Sequence, residues 1–161
     1  MITVEDVMTR HPKTLGETES LVDARRMMAE FDIRHIPIVD SSGRLLGLVT
    51  HRDVLAASSS VLDQTEQQRQ GHDSEIEVST VMSRTLDLVS PGAGLRDAAQ
   101  LMRNHRLGCL PVMNQDDLVG IITDTDFVEV AIHMLEQLES VEQLEVDDEL
   151  DELAQESVIY P

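Results

Sequence analysis

The stretch VEDVMTRHPKTL at residues 4–15 returns as VSTVMSRTLDLV at 78–89, an offset of 74 that lays Val7-Met8 on Val81-Met82. The same offset carries Asp23-Ala24 onto Asp97-Ala98, Met28 onto Met102 and Ile36-Pro37 onto Leu110-Pro111. DSSGRLLG then shortens to NQDDLVG, after which an offset of 73 carries Gly47 onto Gly120, Thr50 onto Thr123 and Asp53 onto Asp126. Ordered matches with one deletion at a turn mean two copies of one unit, so the fold is assembled from like halves.

Periodicity predicts the content of each copy. SLVDARRMMAEF sets Leu21, Val22, Ala24, Arg25 and Met28 at helical spacing, with Ser20 and Asp23 as a capping pair. HIPIVD and RLLGLVT are short apolar runs around SSG, which reads as two strands and a tight turn. Because these runs do not alternate, the strands are expected to be covered on both faces. HRDVLAASS resumes as a helix, with the Thr50 hydroxyl as its cap. The order is strand, helix, strand, strand, helix, and the second copy follows it through TDFVEVAIHML. The expected fold is α/β in the broad sense, more strictly α+β, with two β-α-β-β-α units packed on each other.

The expected domains are repeat 1 at 1–57, a polar linker at 58–75, repeat 2 at 76–135 and an acidic tail at 136–161. The linker, rich in Ser and Gln, reads as a loop with little to bury, with a frayed helix near 61–70. The tail carries a broken apolar stripe of Val130, Met134, Leu138, Val141, Leu144 and Leu150 on a helix dense in Asp and Glu. Such a helix is either solvated or docked on a partner or second subunit.

Composition narrows the function classes. A formal charge of −19 repels nucleic-acid phosphates and anionic membranes, so neither is an expected partner. No apolar run is long enough to span a bilayer and no leader pattern opens the chain, which reads as a soluble cytoplasmic protein. Cys109 is the single cysteine and lies among apolar residues, as a buried, inert thiol would. The histidines show no metal-ligand spacing, and SPGAGLRDA lacks the Lys-Ser/Thr that ends a P-loop. No nucleophile with a nearby base and no catalytic acid pair stands out, so no enzyme is expected.

The duplicated pattern of Met, Asp-Ala, a hydrophobic-Pro pair and Gly-x-x-Thr-x-x-Asp resembles a tandem pair of cystathionine-beta-synthase (CBS) domains, a Bateman module. The resemblance implies two repeats related by a pseudo-two-fold axis around a cleft that holds AMP, ADP, ATP or S-adenosylmethionine. It also implies a regulatory role, exercised by conformational change on an unidentified partner protein, and a homodimer. No cofactor is required under this reading.

Within that frame, Asp53 and Asp126 are candidate acceptors for ribose hydroxyls. Thr50 and Thr123 are candidate phosphate donors beside free N–H groups at a helix start. His51 and Arg52 add cationic capacity to one site, while Thr125 adds a hydroxyl and Asp124 a like charge to the other. The resemblance completes the Asp126 pocket with Lys13, Ile33 and Arg34, and the Asp53 pocket with Asp87, Leu107 and Gly108. Adenine would then lie between aliphatic side chains. The competing reading makes these groups plain helix caps and the protein an interaction module that works through its dimer surface and acidic tail.

Overall fold

The computed structural model describes residues 2–58, 71 and 73–156, with side chains described as far as Ser140. The expected frayed helix at 61–70 lies outside the described residues, as do the side chains of Val141, Leu144 and Leu150. The chain divides into two compact units, Met1–Thr123 and Asp124–Pro161.

The first unit holds two three-stranded sheets. One runs β2 (Leu15–Gly16), β3 (His35–Val39), β4 (Leu45–Thr50), and the other runs β1 (Thr9–Arg10), β6 (Asp117–Thr123), β5 (Cys109–Asn114). Helices α1 (Leu21–Phe31) and α2 (His51–Ser58) belong with the first sheet, and α3 (Leu95–His105) precedes β5. Both helices that lead into a hairpin end in a left-handed residue, Asp32 at φ 51° and Arg106 at φ 57°. In each case the next N–H then closes on the helix: Ile33 donates to the Met28 carbonyl and Leu107 to that of Met102.

Each repeat opens in the other repeat's sheet. β1 pairs antiparallel with β6, Thr9 opposite Ile121 and Arg10 opposite Gly120. Reciprocally, Leu48 and Ser83 exchange both backbone hydrogen bonds, at 3.0 and 2.9 Å. The segments just before these strands cross in the same way. Val4 and Glu5 donate to the carbonyls of Ala93 and Pro91, while Val78 and Ser79 donate to those of Glu19 and Glu17. The strand-helix order read from the sequence is present, but the short leading strand serves the opposite sheet. In repeat 2 the counterpart of β2 shrinks to one parallel bridge, Val89 to Val112.

Two glycines permit this crossing. A Cβ on Gly47 would lie 2.6 Å from the Met82 sulfur and 2.9 Å from the Ser83 carbonyl oxygen. Gly120 is overlaid in the same way by the Met8 sulfur. The crossing also builds the core, since Val78 and Met82 pack among Leu21, Met28, Ile36, Ile38, Val49 and Val54. Ile36, Pro37 and Ile38 are all buried along β3, as expected of strands covered on both faces.

Local turn chemistry explains the shifted offset. Asp40 caps the β3–β4 turn, accepting from the Ser42 hydroxyl at 2.6 Å, from the Ser42 and Arg44 N–H groups and from Arg44 Nε, with Gly43 at φ 84°. The β5–β6 turn is shorter and relies on Gln115 at φ 56°. Ser20 and Asp23 form the expected capping box on α1. Cys109 is buried, as expected.

The second unit is a helix, α4 (Asp124–Glu156), with Val128, Ile132, Leu135 and Leu138 each more than half exposed. Among the described residues no helix is long and apolar enough to cross a membrane.

Gly47→Ala should lower stability by about 1–3 kcal/mol, because backbone as well as a flexible side chain meets the new methyl; calorimetry should show a Tm lower by at least about 2 °C. Acid should act through the capping carboxylates. The Ser20 hydroxyl holds the Asp23 carboxyl below its ordinary value, as the Ser42 hydroxyl does that of Asp40. Groups depressed on folding stabilise above the unfolded value of about 3.9, and that stability is lost as pH falls through the folded value. The Tm difference between wild type and Asp23→Asn should therefore be full at about pH 7 and shrink steadily below about pH 4.

Candidate functional site

β4 delivers Thr50 to the first turn of α2, where Asp53 closes a reciprocal cap. The Thr50 N–H and hydroxyl both donate to Asp53 Oδ2, at 2.8 and 2.7 Å, and the Asp53 N–H donates to Thr50 Oγ1 at 3.3 Å. The box commits one carboxylate oxygen. Asp53 Oδ1 has no partner among the described residues, and the side chain is half-buried.

Strand pairing brings further groups to this turn. His35 is the register partner of Thr50, and the His51 N–H donates to the Arg34 carbonyl at 2.8 Å. Arg34 therefore stands beside the Thr50–Asp53 turn, although the sequence reading grouped it with Asp126. Arg34, His51 and Arg52 are exposed and form no ion pair among the described residues.

These bonds engage part of the expected phosphate cradle. The Thr50 hydroxyl has one proton and gives it to Asp53, so it cannot also donate to phosphate while the box is closed. Of the first-turn N–H groups, those of His51 and Asp53 are taken, which leaves that of Arg52.

The second repeat supplies a neighbouring wall. A Cβ on Gly108 would lie 2.7 Å from His35 Nε2, so the entry to β5 runs against the start of β3. Leu86 packs with Leu48, Cys109 and Ile121, which carries the segment before Asp87 along β4. Leu107 is half-buried at the turn out of α3.

Two equivalent positions are tethered differently. Lys13 Nζ sits 4.4 Å over the Phe31 ring. Its counterpart Asp87 pairs through Oδ2 with His105 Nδ1 at 2.9 Å, and His105 is the counterpart of Phe31. A loop residue held by the last residue of a helix is thus a repeated device with reversed charge.

Thr123 closes β6, and Asp126 stands in the first turn of α4, the places that Thr50 and Asp53 hold on β4 and α2. In that turn the Thr125 N–H donates to Asp124 Oδ1 at 2.9 Å. Among the described residues no cluster of His, Cys, Asp and Glu is arranged to hold a metal ion.

The expected linker end holds something the sequence reading missed. Asp73 is 1% exposed and is held by Arg25 and Ser58. The one signal was Arg25 itself, a cation at a helical position otherwise spaced for the core.

The CBS domain profile matches residues 4–60 and 78–133. The chain belongs to the CBS domain family. It is 34% identical over 122 residues to CBS domain-containing protein YhcV of Bacillus subtilis, covering 76% of this chain and 80% of that one. A Vibrio cholerae protein assigned to acetoin utilization, AcuB, shares 48% identity at a TM-score of 0.74, over 87% of this chain and 97% of that one. CBSX2, crystallised in complex with AMP, shares 26% identity at a TM-score of 0.69, over 83% and 98% of the two chains. The architecture is that of a CBS pair, the Bateman arrangement.

Thr50→Ala should lower stability by about 1 kcal/mol through loss of the α2 cap, seen in calorimetry as a Tm lower by about 2–4 °C.

Proposed function

We propose that this CBS pair is a regulatory, non-catalytic, cytoplasmic protein that binds an adenosyl nucleotide at the Thr50–Asp53 turn and signals by conformational change. The observation that carries it is an uncommitted oxygen of Asp53 beside two guanidinium groups and an imidazole, Arg34, Arg52 and His51, that form no ion pair among the described residues, in a protein whose net charge is −19. Asp53 Oδ1 suits the ribose diol. The Arg52 N–H and the Arg34, His51 and Arg52 side chains suit phosphate, with Arg able to bind it through two parallel bonds. Leu107, Gly108 and the aliphatic side chains nearby would flank the base. The AMP complex of CBSX2 supports this ligand class, within which AMP, ADP, ATP and S-adenosylmethionine are the candidates.

A second site follows by repeat symmetry, built on Thr123, Thr125 and Asp126, to which the family resemblance adds Lys13 and Ile33 and, in place of the role at Thr50–Asp53 given above, Arg34. Lys13 and Asp87 make the two sites unequal in charge. The proposed homodimer would cover exposed apolar residues such as Leu55 of α2 and Val128, Ile132 and Leu135 of α4. The exposure of these residues favours the second reading, an interaction module that binds no nucleotide.

Calorimetric titration separates the two. AMP or ATP should bind with measurable heat and raise the Tm, and Asp53→Ala should weaken binding at its site by about tenfold or more, the expected cost of losing charged hydrogen bonds. No heat and no thermal shift at millimolar AMP, ATP and S-adenosylmethionine would leave the interaction module standing.

A further inference from the structure

Asp73 is the only buried charged side chain among the described residues, and its partners join three parts of the chain. Arg25 Nη2, from α1, donates to Asp73 Oδ2 at 2.5 Å and to Ser58 Oγ at 2.6 Å. Ser58 is the last residue of α2, and its Oγ lies 3.3 Å from both Asp73 oxygens. Asp73 itself lies in the chain that leads into the crossing segment at 76–79.

The Ser58 hydroxyl has one proton and two sets of acceptors. It reaches the Val54 carbonyl of its own helix at 2.8 Å and the Asp73 carboxylate at 3.3 Å, and it can donate to only one at a time. Given to Val54, the proton closes the end of α2 on itself. Given to Asp73, it ties α2 to the leader of the second repeat. Both arrangements keep the Arg25 bonds, so they differ by one hydroxyl rotation.

We propose that Arg25, Ser58 and Asp73 form a latch through which occupancy of the Thr50–Asp53 turn is passed to the segment entering repeat 2. This rests on the nucleotide reading above. The two ends belong to one short rod: α2 has eight residues, about 12 Å, starting beside Thr50 and ending at Ser58. A ligand gripping the first turn shifts or stiffens that rod. The far end responds by moving the Ser58 proton toward or away from Asp73. Since Asp73 is buried with Arg25 and Ser58 as its side-chain partners, a small change there alters how firmly 73–78 is held. Repeat 2 has no such device, because alanines, Ala99 and Ala131, stand where Arg25 and Ser58 do. Signalling through a latch is therefore a property of the Thr50–Asp53 site alone.

Hydrogen exchange of the full chain, with and without saturating AMP, tests the latch. In the wild type, AMP should change exchange of the amides at 73–78 by about fivefold, the lower end of ordinary coupling between sites. Ser58→Ala should still bind AMP but lose that ligand-dependent change, and Ser58→Thr, which keeps the hydroxyl, should restore it. A purely structural brace would raise exchange equally with and without AMP. Ser58→Ala leaves the Arg25–Asp73 pair in place, so folding is retained. AMP binding with no change at 73–78 in the wild type, or a change that survives Ser58→Ala, overturns the latch. Should AMP fail to bind, ATP or S-adenosylmethionine takes its place in the same experiment; failure of all three to bind the wild type overturns the nucleotide reading, and the latch with it.

Discussion

The reciprocal crossing of the two leading segments is the constraint on which the rest of this protein depends. Met82 lies over Gly47, Met8 lies over Gly120, and the wholly buried Val4 and Val78 enter from the opposite repeat. Neither repeat owns a complete core. Val78 and Met82 fill the space among Leu21, Ile36 and Val49, so repeat 1 is finished by residues of repeat 2. The crossing also draws β4 to the entry of β5, where Leu48 meets Cys109 and His35 meets Gly108. The wall that both repeats contribute to the proposed site follows from the way the chain is tied together.

Capping and the proposed ligand recognition draw on the same atoms at the start of α2. Thr3 with Asp6, Ser20 with Asp23 and Thr50 with Asp53 carry the same box. Helix capping accounts for the first two fully. The box is therefore not itself a signal of binding. What sets Thr50–Asp53 apart is its company: exposed Arg34, His51 and Arg52 on one side and Gly108 on the other. A cap that engages only one carboxylate oxygen would meet the proposed ligand preorganised.

Much of this was legible in the residues. The offset of the repeats, the apolar β3 and β4 runs and the Ser20–Asp23 pair report local physics, in which each residue's neighbours in sequence decide its structure. The crossing was not legible, because a tandem repeat looks the same whether a leading strand joins its own sheet or the other. Partner choice at equal positions was also hidden. Lys13 on Phe31 and Asp87 on His105 are a cation–π contact and a hydrogen-bonded pair that share only a place in the fold. The burial of Asp73 contradicted the polar character of its surroundings, since composition averages over a segment and one Arg25 suffices to pull one carboxylate inside. The acceptor of the His51 N–H was hidden as well, because the Arg34 carbonyl comes from a neighbouring strand.

If the crossing governs the fold, the two sheets cannot open independently. Native-state hydrogen exchange in increasing urea reads this directly from the amides of Ile36 and Val49 in one sheet and Leu110 and Ile122 in the other. All four should converge on one opening free energy and one urea dependence, the mark of a single cooperative unit. Two separate opening reactions, one for each sheet, would contradict the account.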